Sequence, residues 1–247
     1  MKRTFDVLAS LTGLTILAPV LAVIAVAIYL EDRHSPFFFG KRIGTDGPFR
    51  MVKFRSMVPD AWKNGVSSTS AGDRRITRAG GMLRRFKLDE FPQLWNVLAG
   101  DMSLVGPRPQ VAIDAGMYTA EERRTLLVRP GITDLASIVF ADEGEILAGA
   151  ADPDLLYNQI IRPWKSRLAL LYLDRHSFTS DLRIIFLTLL SAVSRRRALD
   201  GVTSILTAWS ADPMLIQVSR REESLSAWPP PGATEVVKRY SNQSAHA

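Results

Sequence analysis

No cysteine occurs among the 247 residues, which excludes disulfides, a thiolate nucleophile and cysteine-ligated zinc or iron–sulfur sites. Histidine is nearly as scarce. His34, His176 and His246 are scattered without metal-ligand spacing, so any metal is expected to take oxygen ligands. No internal repeat is present. Asp and Glu, 25 in all, are outnumbered by 31 Lys and Arg. The resulting net charge of +6 points to anionic partners: nucleic acid, anionic lipid or a phosphorylated substrate. What abounds is apolar side chain, 47% of the sequence, enough for one core with an appendage and incompatible with global disorder.

Charge is also missing from one long run, the 24 residues from Val7 to Leu30. As a helix the run is about 36 Å long, enough to cross a hydrocarbon core of about 30 Å. Lys2 and Arg3 precede it and Glu31, Asp32 and Arg33 follow. Three readings compete. A cleaved signal peptide is one, with Ala25–Ala27 as the cleavage site, but Asp6 sits in the basic region and the apolar run continues past the cut. A straight transmembrane span is the second. A re-entrant helix that breaks at Pro19 is the third, since Pro19 cannot donate to Thr15 and its ring crowds that turn. Lys2 and Arg3 and the basic remainder of the chain all read as cytoplasmic, which favours re-entrance.

Downstream, Phe37–Phe39, a turn at Thr45–Pro48 and the segment Phe49–Phe54 predict a hairpin carrying Lys41, Arg42, Lys53 and Arg55. Asn64–Gly72 reads as a mobile loop leading to Arg74, Arg75, Arg78, Arg84, Arg85 and Lys87. Short helices are predicted over Met82–Lys87 and Phe91–Leu98, the second with Pro92 in its first turn and Asp89 and Glu90 at its N-terminus, where the dipole favours ionised carboxylates. Thr119–Val128 reads as a helix ended by Arg129, Pro130 and Gly131. Asp154–Leu173 and Ser180–Val193 read as amphipathic helices that pack the core and touch the bilayer surface, and Ile205–Ile216 as a last helix. Ser224–Ala247, with Pro229–Pro231, has a disordered composition.

Adjacent carboxylates such as Asp89 and Glu90 usually decorate a solvated surface. Here Arg84, Arg85 and Lys87 precede them and Arg108 follows, fixed between Pro107 and Pro109. Such a bracket suits a diphosphate whose oxygens share a hard cation with a carboxylate.

The chain resembles the bacterial sugar transferases, the monotopic phosphoglycosyl transferases that act on polyprenyl phosphate. The resemblance runs roughly over residues 2–195. It rests on Lys2, Arg3, Phe5 and Asp6 before the apolar helix, and on Ser35, Pro36, Phe38, Phe39, Arg42 and Gly44. Lys53–Met57 with Asp60 and Ala61, Asp73, Arg75–Thr77, Gly80 and Leu83–Arg84 continue it. Leu88–Gln93, Met102–Pro109 and Arg129–Thr133 complete it. It implies an α+β, mainly helical protein: a re-entrant membrane helix over 1–34, a compact catalytic domain with a small hairpin and interfacial helices over 35–200, and a partly disordered extension over 201–247. It further implies an enzyme on the cytoplasmic face of the bacterial inner membrane that moves a phosphosugar from a UDP-sugar to undecaprenyl phosphate and releases UMP. That would be the first membrane step of exopolysaccharide, capsule, O-antigen or glycan assembly.

In the family the residue matching Asp89 is the nucleophile and that matching Glu90 helps bind Mg2+, with Asp89 beside it as the second candidate ligand. Arg84 matches the phosphate site, and Arg108, Lys53, Arg55, Arg75 and Arg129 are the further candidate substrate-binding residues. Membrane lipids and a second copy in a homodimer are candidate partners. Two features depart from the family pattern. Ala18 stands where a Ser often precedes the breaking Pro19, and Asp134–Ser137 with Asp142–Glu145 replace a segment that touches sugar or nucleoside. The alternative from another class, a basic module that binds anionic lipid or nucleic acid without turnover, has the charge but shows no base-stacking aromatics or reading helix, so nucleic acid is not an expected partner.

Overall fold

The computed structural model describes residues 1–61, 68–70 and 72–240. Most of the expected loop over 64–72 and the tail beyond 240, with His246, lie outside the described residues.

Helix α1 spans Lys2–Asp32 and is unbroken at Pro19. It is long and apolar enough to cross a membrane by length and composition, and only 6% of its most apolar window is buried. One face lies along the rest of the molecule while Leu8, Leu11, Ile16, Val20, Val23 and Val26 are exposed.

Both ends of α1 are tied to the same body. At the start Lys2 Nζ donates to Asp181 (2.6 Å), Tyr172 Oη and the Val105 carbonyl, Arg3 donates to the Val97 and Leu98 carbonyls, and buried Asp6 accepts from Ser103 Oγ and Leu104 N. At the other end Asp32 takes a bidentate pair from Arg55 at 2.5 and 2.6 Å, and Glu31 accepts from the backbone of Arg78 and Ala79. Ile28 is buried there with Phe54 and Leu83.

Strands β1 (Phe37–Gly44) and β2 (Gly47–Phe54) form the predicted antiparallel hairpin, Gly44 opposite Gly47 across a two-residue turn. The period of two puts Phe38, Gly40 and Arg42 on one face with their cross-strand partners Lys53, Met51 and Phe49. Helix α2 (Arg78–Arg85) starts earlier than expected because the Thr77 side chain accepts from Gly80 N. The expected helix over 91–98 is instead a 3-10 turn, Leu88–Gln93, followed by α3, Leu94–Ala99. Pro92, inside the turn, withholds one donor.

Strands β3 (Ser103–Val105) and β4 (Gly131–Thr133) pair in parallel, a pairing the sequence reading missed. Gly131 was expected only to end a helix. It opens a strand because backbone meets backbone: a Cβ there would lie 2.1 Å from Gly106 N. Between the strands lie α4 (Ala112–Gly116) and a 3-10 turn, Glu122–Leu127, shorter than the expected helix. Helices α5 (Leu135–Val139) and α6 (Glu143–Ile146) follow.

The helix expected over 154–173 is two, α7 (Pro153–Ile160) and α8 (Arg162–Arg175), divided where Pro163 lacks an N–H. Then come α9 (Phe178–Val193), with a capping box at Ser177, α10 (Arg195–Ala208) and α11 (Pro213–Arg220). The main core joins α5, α8, α9, α10 and α11. The boundary expected at residue 200 therefore falls inside α10, whose Ala198, Leu199, Val202, Ile205 and Leu206 are core. Helix α8 is a core helix as well, its Trp164 packed on Trp228 at 5.5 Å. Of the two expected interfacial helices only α9 keeps an apolar outer face, Leu182, Phe186, Leu189 and Val193. The segment after α11 packs rather than trails: Trp228 N donates to the Gln159 carbonyl, Arg167 to Pro229 and Thr119 to Pro231.

Glu122, fully buried, accepts from Arg162 (2.5 Å), Ser166 Oγ (2.7 Å) and Thr119 N, stapling its turn to α8. Glu122→Ala leaves the Arg162 charge buried and is expected to cost about 3–5 kcal/mol, read by denaturant unfolding in detergent. A loss under about 1 kcal/mol would put the pair among exposed ones.

Candidate active site

The site forms where the 88–93 turn lies on the hairpin. Asn96 sets the distance: its Oδ1 accepts from Val52 N and its Nδ2 donates to the Arg50 carbonyl, both at 2.8 Å, clamping α3 to β2. Lys87 precedes the turn with φ 56°, a left-handed backbone that a non-glycine residue adopts at a cost. This sharp reversal carries Asp89 inward.

Asp89 is 5% exposed and its Oδ1 is buried without a hydrogen-bond partner. Burial raises its pKa, and neighbouring Glu90 adds to this, against the pull of Lys53, Arg84 and Arg108. Glu90 goes the other way. Burial would raise it, but Arg108, which donates from both terminal nitrogens, holds it below the ordinary range. Two adjacent carboxylates are thus driven apart, one made a poorly solvated base and the other locked as an anion.

Lys53 projects from β2 beside Asp89, and burial pushes its ammonium down to about 8 although Asp89 opposes the shift. Arg42 shares that hairpin face and is depressed by burial and by Arg108. Gly40 between them leaves room: a Cβ there would meet Phe38 at 3.0 Å and Arg42 at 3.1 Å. Arg84 acts on Asp89 electrostatically and makes no ion pair among the described residues. Lys53, Arg84 and Arg42 therefore bring cationic charge that no carboxylate among the described residues neutralises by direct pairing, around a carboxylate without a hydrogen bond among them. Such a set can hold a diphosphate while the carboxylate attacks phosphorus.

Of the predicted residues, Asp89, Glu90, Lys53, Arg84 and Arg108 come together. Arg55 does not, being bound to Asp32 and the Ser35 carbonyl. Arg75 does not either, being paired with Asp73 at 2.6 Å. Arg129 lines another cavity, about 310 Å3, with Lys2, Arg3, Asp6, Tyr172 and His176. Arg42 was seen on the hairpin but not placed in the site, although strand parity puts it on the Lys53 face. Beyond Arg108 a cavity of about 150 Å3 is walled by Tyr118, Asp134, Glu143, Tyr157 and Lys165. The reading of the segments 134–137 and 142–145 as ligand-facing meets this cavity at Asp134, Ser137 and Glu143.

For a cation, no cluster of three or more His, Cys, Asp or Glu occurs among the described residues. Asp89 and Glu90 alone fit a hard ion that takes its remaining oxygens from phosphate and water. The orphaned, buried Oδ1 of Asp89 is free to ligate.

The family model described as bacterial sugar transferase matches residues 1–195. The exopolysaccharide production protein PSS of Rhizobium leguminosarum bv. phaseoli is 38% identical over 207 residues, 79% of this chain and 96% of that protein. Undecaprenyl-phosphate glucose phosphotransferase of Komagataeibacter xylinus is 38% identical over 209 residues, 80% of this chain but 36% of that one. UDP-N-acetylgalactosamine-undecaprenyl-phosphate N-acetylgalactosaminephosphotransferase of Aeromonas hydrophila is 37% identical over 143 residues, 56% of this chain and 34% of that one. The chain thus spans about a third of the latter two relatives and nearly all of the first.

Because Lys53 is charged below about 8 and neutral above, diphosphate affinity is expected to fall as pH rises through that value. Calorimetric titration with magnesium diphosphate checks this. Lys53→Arg is expected to remove the alkaline loss and Lys53→Met to weaken binding about tenfold or more at pH 7.

Proposed function

The chain belongs to the bacterial sugar transferase family, and from this we propose that it transfers a phosphosugar from a UDP-sugar to undecaprenyl phosphate through a covalent intermediate on Asp89. The observation that carries the reading is the buried Asp89 carboxylate, without a hydrogen bond on Oδ1 and faced by Lys53, Arg84 and Arg108. Relatives from Klebsiella pneumoniae and Caulobacter vibrioides are UDP-glucose:undecaprenyl-phosphate glucose-1-phosphate transferases, which supports the donor and acceptor classes of this reading.

In the first step an Asp89 oxygen attacks the phosphorus bonded to the sugar. The bond from that phosphorus to the bridging oxygen breaks, and UMP leaves with the electron pair. In the second, an oxygen of the lipid phosphate attacks the same phosphorus. The acyl phosphate bond breaks, Asp89 returns as carboxylate and a lipid diphosphate sugar is formed. Lys53 and Arg42 offset charge on the diphosphate and Arg84 the charge that develops at the reacting phosphorus. Arg108 keeps Glu90 ionised and aimed. Magnesium, held by Asp89 and Glu90 when bound, would supply further charge neutralisation.

The lipid acceptor cannot leave the bilayer, and α1 provides proximity to it. Its end-to-end attachment to one body, with the helix unbroken at Pro19, supports an in-plane helix over a straight span. A span would set the Lys2 and Arg3 anchors across the hydrocarbon from the Asp32–Arg55 pair, and the one body that binds both would have to bridge it with its charges.

Asp89→Asn is expected to abolish UMP release from every donor tested with undecaprenyl phosphate and magnesium. Glu90→Gln should reduce release strongly and weaken its magnesium dependence. Retained turnover in Asp89→Asn would remove the covalent mechanism. The chain has no native cysteine, so Thr4→Cys and His34→Cys can be labelled singly in membranes. Both are expected to react with an impermeant maleimide from one side, and reaction from opposite sides would establish a span.

A further inference from the structure

We infer that the 150 Å3 cavity beyond Arg108 is the pocket for the sugar of the donor, and that Glu143, with Lys165, determines which sugar is accepted. The inference rests on the transferase reading above. It begins from connectivity, since Arg108 lines the cavity while its guanidinium holds Glu90. The group bonded to the attacked phosphorus is the sugar, so the sugar lies within one bridging oxygen of Asp89's target. A pocket next to that point receives the sugar sooner than the nucleoside. Size agrees: a space of about 150 Å3 admits a six-membered ring, as an engineered cavity of about that volume admits benzene.

Chemistry selects among the wall residues. Asp134 is spent on capping α5, its Oδ1 accepting from Ser137 N and Oγ at 2.6 Å. Arg162 is neutralised by Glu122. Glu143 and Lys165 are paired too, but with each other, and both members of the pair line the cavity, half-buried, with the ammonium 5.3 Å from the Tyr157 ring centre. Burial opposes ionisation of Glu143, but Lys165, Arg108 and Lys87 hold its carboxylate below the ordinary range. Burial raises the Tyr118 and Tyr157 phenols well above 10, so both stay neutral O–H groups.

A carboxylate beside an ammonium offers one acceptor and one donor at a single point. A sugar hydroxyl, which both donates and accepts, completes both at once. The uracil base, with one N–H donor and two carbonyl acceptors, has no single atom that does so; the ribose hydroxyls do, and UDP, which carries them without the sugar, serves as the control that separates the two. Two tyrosine rings give the apolar face against which a pyranose stacks.

The test is calorimetric binding of UDP and of a panel of UDP-hexoses and UDP-N-acetylhexosamines to the full chain in nanodiscs with magnesium, in an Asp89→Asn background so that no donor is consumed. At least one donor is expected to bind ten- to a hundredfold tighter than UDP. Glu143→Ala and Lys165→Met should each bring that ratio close to one and leave UDP affinity unchanged, with Glu143→Gln intermediate because it keeps an acceptor oxygen. Unchanged UDP affinity also shows that the variants are folded. A ratio that survives both substitutions, or a panel in which no donor exceeds UDP, overturns the pocket. A donor that shows the ratio yet yields no UMP with the Asp89 chain would instead overturn the transferase reading and leave the pocket standing.

Discussion

The arrangement depends on one constraint: an uncharged apolar helix has to be held at both ends by polar groups of a single domain. Asp32 and Arg55 meet the constraint at one end, and Arg55 directly follows β2, so the pair that fixes the helix also fixes the strand bearing Lys53. Lys2, Arg3 and Asp6 meet it at the other, on Asp181, α3 and β3. Since α3 continues the turn that carries Asp89, the site lies between the two anchor points. Buried groups of this kind gain little net energy from pairing, but breaking either pair would leave a buried charge alone. Specificity of placement is their contribution: the Asp89 carboxylate keeps a fixed relation to the long apolar helix.

Within the site, one feature divides two chemically similar carboxylates. Arg108 approaches Glu90 as a fork and leaves Asp89 alone. A carboxylate held by a bidentate guanidinium is a poorer nucleophile, because the fork offsets its charge and engages one lone pair on each oxygen, leaving the second pair for a cation. One without hydrogen bonds, raised by burial, keeps its lone pairs available. The prolines on either side of Arg108 stiffen the backbone that aims it. All described peptide bonds there are trans.

The sequence made legible what local pattern determines. The apolar run, the hairpin, whose turn falls at Thr45 and Asp46 rather than over the whole expected Thr45–Pro48, and the Asp89–Glu90 pair in the first turn of a helical segment all rest on periodicity, turn chemistry or capping, which act within a few residues. What stayed hidden depends on distant partners. Arg55 and Arg75 look on paper like further phosphate ligands, and only the fold shows that Asp32 and Asp73 occupy them. The β3–β4 pairing joins strands of three residues each whose register is set by the approach of Gly106 to Gly131, a contact without a periodic signal. Pro-rich composition after residue 224 suggested disorder, yet proline carbonyls are good acceptors, and Pro229 and Pro231 serve Arg167 and Thr119 in that way.

That last contact bears on how recognition is built. Residues 42–108 supply the cations and carboxylates around Asp89, whereas most of the pocket wall comes from 118–169. The wall helices α7 and α8 are backed in turn by the C-terminal segment. Trp228 packs on Trp164, Gln159 donates to the Val237 carbonyl, and Tyr240 donates to Asp114. Asp114 in turn influences Arg42. The family model ends at residue 195, so this backing comes from chain beyond the shared portion. The centre around Asp89 and the cavity beyond Arg108 are therefore built largely from separate stretches of the chain, so a change in the cavity walls leaves the groups around Asp89 in place.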